Sequence, residues 1–198
     1  LSKMPAERQQ MFHAALFAHR IQGCEKNKGP SCSKPHGSGR AFERNFIVAR
    51  GSNKDEKDMS ADQETGTFLH ELGHTLGIWH GGQDHFHHKP NYVSVMNYSF
   101  QFGGLEGAPH KWDYSRWQFQ ALDKGRLDEP DGLYVERSLG ARPPAGLKSA
   151  YFCPGDTEPQ PVTVGPSINW NCNKGIESGW VQANINGWTA DYGHHDEH

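Results

Sequence analysis

The sequence predicts an α+β fold, and three observations carry that prediction. Two segments have helical periodicity, about residues 5 to 21 and 61 to 77, and the second bears a dense histidine motif. Between them, Phe42 to Ala49 (FERNFIVA) has the β-branched and aromatic make-up of a strand. The chain also carries 23 Gly and 12 Pro among 198 residues and is only 34% hydrophobic, which predicts a loop-rich fold whose small core needs help from metal or disulfides. The length fits one domain or two closely packed lobes.

The first helix is expected to start at Pro5, with Met11, Ala15, Leu16, Phe17 and Ala18 on its apolar face and Glu7, Arg8, Gln9 and Gln10 opposite. His13 and His19 on this segment read as packed or exposed side chains rather than metal ligands. Gly23 ends the helix, and residues 23 to 40 form a Gly/Ser/Lys/Pro loop that holds Cys24 and Cys32. After the strand comes a polar loop, residues 51 to 62. Ser60 followed by Gln63 makes a capping box, so the second helix is expected from Ala61 or Asp62 to Gly77. Phe68, Leu69, Leu72, Leu76 and Ile78 would be its buried stripe.

In the Gly-rich loop that follows, the i, i+2, i+3 spacing of His85, His87 and His88 suits no single helix or strand face, so they read as solvated. Further on, Trp112, Tyr114, Trp117, Phe119 and Leu122 suggest a packed helix from Tyr114 to Lys124 with Asp113 near its cap. Residues 128 to 150 read as extended loop. The Asn-rich stretches Asn169 to Gly175 and Asn184 to Gly187 read as turn-forming ladders. The alternative there is a Ca2+ site, which amides in place of carboxylates would make weak. Gly193 to His198 are expected to be disordered.

The chemistry concentrates in His70-Glu71-Leu72-Gly73-His74-Thr75-Leu76-Gly77-Ile78-Trp79-His80. Residues four apart share a helix face, so His70 and His74 can reach one ion. Gly77 lets the chain leave the helix through a backbone conformation that side chains disfavour, and the turn returns His80 to the same ion. Three neutral imidazoles leave a position open for water, as in a catalytic rather than a structural zinc site. Glu71, adjacent to the first ligand, is placed to act as a general base on that water.

H-E-x-x-H-x-x-G-x-x-H is the extended signature of the metzincin zinc metallopeptidases. Ser94-Val95-Met96-Asn97-Tyr98 resembles their Met-turn, whose methionine is an apolar floor beneath the histidines. Gly66-Thr67-Phe68-Leu69, His80-Gly81-Gly82, Lys89-Pro90-Asn91-Tyr92, Phe100-Gln101-Phe102 and Asp113-Tyr114-Ser115 extend the likeness to secreted members of bacterial type. The resemblance implies a secreted zinc endopeptidase, residues 1 to 198 forming one catalytic domain. Its upper lobe (about 1 to 79) would carry a small mixed sheet and the active-site helix, above an irregular lower lobe (about 80 to 198). It also implies that a peptide lies extended in the cleft of a monomer, and that Tyr98 steadies the tetrahedral intermediate; a packed aromatic is the plainer reading of that tyrosine. Asn45 to Arg50 resembles the family's substrate-binding edge strand, though the residues fit an ordinary core strand equally well. Metzincins have a strand ahead of the first helix, so that strand is expected upstream of Leu1 or the sheet is small. A leader and a pro-segment are likewise expected to lie outside the sequence.

A net charge of -3 makes no electrostatic case for nucleic acid or an anionic membrane, and no apolar run reaches the length of a membrane span. Two other functions stay open. One is an inactive zinc-dependent binding module, which would have no use for Glu71. The other is a zinc hydrolase of non-peptide amides. The four cysteines allow three pairings. Cys24–Cys32 and Cys153–Cys172 are expected, since each closes a Gly- and Pro-rich loop that has little else to hold it; four reduced thiols in a cytosolic protein is the alternative.

Overall fold

A computed structural model describes residues 12–18, 39–42, 44–49, 59–140 and 142–187. The chain divides into two compact units at Ile78/Trp79. Among the described residues there is one α-helix and nine short strands, a mixed α and β composition. The described helix is not long and apolar enough to cross a membrane.

The first unit holds a three-stranded sheet and the helix. Strand β1 (Ala14–Ala18) runs parallel to β3 (Asn45–Ala49), with Ala14 opposite Asn45 and Ala18 opposite Ala49. Strand β2 (Gly39–Phe42) is antiparallel to β3, with Phe42 opposite Asn45. The strand order is β1-β3-β2. Helix α1 (Ala61–Thr75) packs on β2 and β3. Phe68 of α1 meets Phe46 edge-on at 5.2 Å and stacks on Phe17 at 6.0 Å, while Phe46, Val48 and Ala49 are buried. Such aromatic pairs add a directional component to apolar burial, which helps to fix the helix over the sheet.

Several expectations fail in this unit. Residues 14 to 18 are a strand, not part of a helix. An apolar run of Ala, Leu and Phe suits either element, and pairing with β3 decides it. The single strand expected over 42 to 49 is two strands, because the chain reverses after Phe42. Asn45–Ala49 has a neighbour on each side, so it is the centre of its sheet and not an edge. The buried face of α1 is also different: Gly66, Thr67, His70, Glu71 and Gly73 are buried, whereas Leu76 is 55% exposed. Residues 5–11 and 19–21 of the expected first helix, His19 among them, and Cys24, Cys32 and residues 193 to 198 lie outside the described residues.

The second unit is built from three two-stranded ladders. They are β4 (Trp117–Phe119) with β6 (Val135–Ser138), β5 (Leu127–Asp128) with β9 (Trp180–Val181), and β7 (Lys148–Tyr151) with β8 (Gln160–Thr163). A lone two-stranded ladder is marginal in water, so these depend on a shared core. That core is formed by Trp170, Leu127, Leu133, Leu147, Val93 and Ile168 together with the aromatics Trp117, Phe119 and Tyr151. Tyr151 packs edge-on against Trp170 at 5.3 Å and donates its hydroxyl to Asn169 O. The disulfide between Cys153 and Cys172, with Cα atoms 5.6 Å apart, closes the segment that holds β8 and Trp170. Fully buried Glu129 accepts the backbone N–H groups of Asn171 and Glu177, tying the Asn-rich loop to the core.

The helix expected over 114 to 124 is not formed; its middle is β4. Buried Trp117 and Phe119 flank exposed Gln118, a period of two that the density of aromatics disguises. Residues 128 to 150 contain β6 and most of β7 instead of plain loop. In the Asn-rich segment the side chains do form turns: Asn173 N donates to the Oδ1 atoms of Asn169 and Asn171, and Gly175 N donates to Asn173 Oδ1. Asn184 and Asn186 both accept from Lys124 Nζ.

Candidate metal centre

Helix α1 begins at Ser60 with the predicted reciprocal cap: Gln63 N donates to Ser60 Oγ at 3.2 Å, and Ser60 N donates to Gln63 Oε1 at 3.0 Å. It ends just as specifically. Gly77 has φ +81°, its N–H donates to His74 O, and Ile78 N–H donates to Gly73 O. This is a Schellman stop, and the glycine is needed for its backbone angle, since a Cβ there would meet nothing within 4 Å. The same turn orients a ligand. His74 Nδ1 lies 2.9 Å from Ile78 O. A carbonyl only accepts, so Nδ1 carries the proton and Nε2 of the neutral ring keeps its lone pair.

His70, 1% exposed, places Nε2 3.1 Å from that Nε2 of His74. Two nitrogens at about 2.0–2.1 Å from one tetrahedral ion stand roughly 3.3 Å apart, so the pair is close to ligating geometry. His80 joins them, the ligand atoms of all three lying within 4.8 Å of one another. This three-histidine cluster can hold a metal ion. Three imidazoles suit Zn, Cu, Fe or Ni, so the donor set alone leaves the metal's identity open.

His80 sits in a tight reversal closed by backbone bonds from Trp79 N to Gly82 O and from Gly82 N to Trp79 O. Gly81 follows with no room for a side chain: a Cβ would lie 1.9 Å from Asp84 Oδ1 and 2.9 Å from Phe86 O. Lys89 Nζ clamps this loop, donating to Gly81 O at 3.1 Å and pairing with Asp84 at 2.7 Å.

Glu71 is 5% exposed. Burial pushes its carboxyl up from 4.5 to about 8, and a backbone hydrogen bond from Ala41 works in the opposite direction. Ser94, Val95, Met96 and Asn97 are all buried in the turn that resembles a Met-turn, held by Val95 N to Asp113 O and Met96 N to Ser94 Oγ. Tyr98 emerges from it 42% exposed, its ring 4.4 Å from that of His80.

Sequence reasoning missed Asn97. Its Nδ2 donates to Lys89 O and Tyr92 O, both at 2.9 Å, and its Oδ1 accepts from Ser99 N, so one amide joins the histidine loop to the Met-turn. The expectation that His85, His87 and His88 are solvated fails for the last two. Of that trio only His85 is exposed. His87 stacks on Tyr98, and His88 lies 2.9 Å by Nδ1 from Ser99 Oγ and packs edge-on against Phe152. That burial lowers the pKa of His88, with the charge of Glu158 opposing. Exposed His13 stands apart from the metal cluster. Cys153 and Cys172 form their disulfide in the second unit, away from the three ligands in sequence.

No family model, curated protein or solved structure matches the chain. The metzincin resemblance therefore rests on the motif residues and on the local geometry they adopt.

Proposed function

We propose that the chain is a secreted zinc endopeptidase of metzincin type. The observation that carries this reading is the gathering of His70, His74 and His80 from one eleven-residue signature, with buried Glu71 next to the first of them. A zinc ion bound there supplies a Lewis acid that acidifies a water molecule and polarises a carbonyl. Glu71 accepts the proton of the attacking water and passes it to the leaving amine. Its burial suits that task, because a desolvated carboxylate is a stronger base than one in water. Tyr98, whose ring lies beside that of His80, would supply a hydrogen-bond donor to the oxygen that gains charge as the carbonyl is attacked. The Cys153–Cys172 disulfide supports an oxidising, extracellular setting.

An extended peptide is the substrate this reading favours, paired with an open strand edge by main-chain hydrogen bonds. In the described sheet the edges are β1 and β2, so the substrate strand would be one of these in place of β3.

The test is to incubate the protein with a denatured-protein mixture, sequence the new termini and measure bound metal. Wild type should cleave and carry one zinc per chain. Glu71→Gln should keep the zinc and lose nearly all turnover, and His80→Ala should lose both. Metal retained in all three with no new termini in any would leave a binding module, and the endopeptidase reading would be wrong.

A further inference from the structure

His70 and His74 are carried by the helix, and His74 is also oriented through its second nitrogen. His80 lies beyond the helix stop, in a reversal closed by backbone bonds between Trp79 and Gly82. Two other rings lie against it. His87 is 4.3 Å away at an interplanar angle of 35°, and Tyr98 is 4.4 Å away at 41°. His87 and Tyr98 are themselves stacked, 4.6 Å apart and 7° from parallel. Each of the three rings therefore touches the other two.

The loop that presents His87 is held on both flanks. Before it, Phe86 N and Lys89 Nζ both bond to the Asp84 carboxylate. After it, His88 bonds to Ser99, the residue next to Tyr98, and Asn97 Nδ2 holds Lys89 O. His87 is thus delivered by a fixed scaffold to one face of the triangle, and Tyr98 by the Met-turn to another.

We infer that His87 is a positioning residue for the third metal ligand: its ring face, together with that of Tyr98, holds the His80 imidazole in its ligating orientation. This rests on the three-histidine reading of the site but not on peptidase activity. The action is through ring contact and not through charge, so an aromatic hydrocarbon at position 87 does the same work. Loss of the contact lets His80 turn away, and ion release then speeds up while the other two ligands stay in place.

Zinc affinity and release rate, measured by competition with a chromophoric chelator, test this without any substrate. Partners that orient a ligand change metal affinity by about 10–100-fold when removed, and His87→Ala should fall at the lower end, about tenfold weaker with faster release. His87→Phe should stay within about twofold of wild type, since the stack survives. In the cobalt-loaded proteins, the visible spectrum of His87→Phe should match wild type and that of His87→Ala should not. Wild-type affinity in His87→Ala overturns the inference, as does a His87→Phe protein as weak as His87→Ala. If His80→Ala binds zinc as tightly as wild type, the three-histidine reading fails and the inference with it. If His87→Ala does not fold, His87→Leu, which fills space without a ring face, takes its place with the same expected result.

Discussion

Replacing both Cys153 and Cys172 by serine removes a bridge between residues 19 apart in sequence. Chain entropy for a closed loop of that length puts the loss at about 3 kcal/mol, mainly because the unbridged denatured chain gains freedom. The native side of the balance should change little. Ile168 and Trp170 inside the loop are buried at 2% and 0% exposure, and Tyr151 OH still holds Asn169 O, so the segment keeps its seat without the bridge. All six tryptophans lie at residue 79 or later, so their fluorescence reports the second unit alone. Urea unfolding followed by this signal should show the midpoint lowered and the slope raised, because the open chain exposes more surface on unfolding. A reducing agent should shift wild type to the variant's curve and leave the variant unmoved. Coincident curves for the two proteins without reductant would refute the reasoning, and so would free thiols at both positions in unreduced wild type.

Ser60→Ala removes the helix cap beneath both helical ligands; it should cost about 1 kcal/mol in thermal unfolding, with Ser60→Asp restoring most of the loss. Tyr98→Phe keeps the ring beside His80, so zinc affinity should hold while kcat falls by about 10²-fold, the scale of a lost oxyanion donor; an unchanged kcat would make Tyr98 a packing residue only. Chelation should abolish peptide cleavage and added Zn2+ should restore it, whereas a chelator-resistant rate would point away from metal catalysis. In the metal-free protein, the Glu71 carboxyl has its pKa raised from 4.5 to about 8. With the folded value above the unfolded one, this group's contribution is intact below pH 4.5 and is lost as pH rises towards 8. Glu71→Gln does not titrate, so its advantage over wild type should grow across that window to on the order of 3–5 kcal/mol and then level off. Parallel stability profiles for the two metal-free proteins would contradict this.

The metal site was legible because it is local. Ser60, Gln63, His70, His74, Gly77 and His80 act through contacts along one helix and its stop, where spacing in sequence is spacing in space. Strand order is a different matter. Nothing within Asn45–Ala49 tells that β1 and β2 lie on either side of it, and nothing within Ala14–Ala18 tells that a strand partner is waiting. The aromatics around Trp117 and Phe119 blur a three-residue alternation and lend the segment a helical look. The roles of His87 and Asn97 depend on the path of the loop between the motif and the Met-turn, which is fixed by Lys89, Asp84 and Gly81 acting together.

The amide of Asn97 has a consequence for how the chain can be made. Asn97-Tyr98-Ser99 is an acceptor sequence for N-linked sugar. In the folded protein Asn97 is 1% exposed and its Nδ2 is committed to two carbonyl groups, so a transferase cannot reach it. In a eukaryotic secretory host, sugar transfer would compete with closure of this turn. A chain modified first would carry a bulky group at the atom that joins the two segments bearing His80 and Tyr98, and could not close the turn. Production in a host without that transferase, or secretion fast enough for folding to win, is what the buried amide demands.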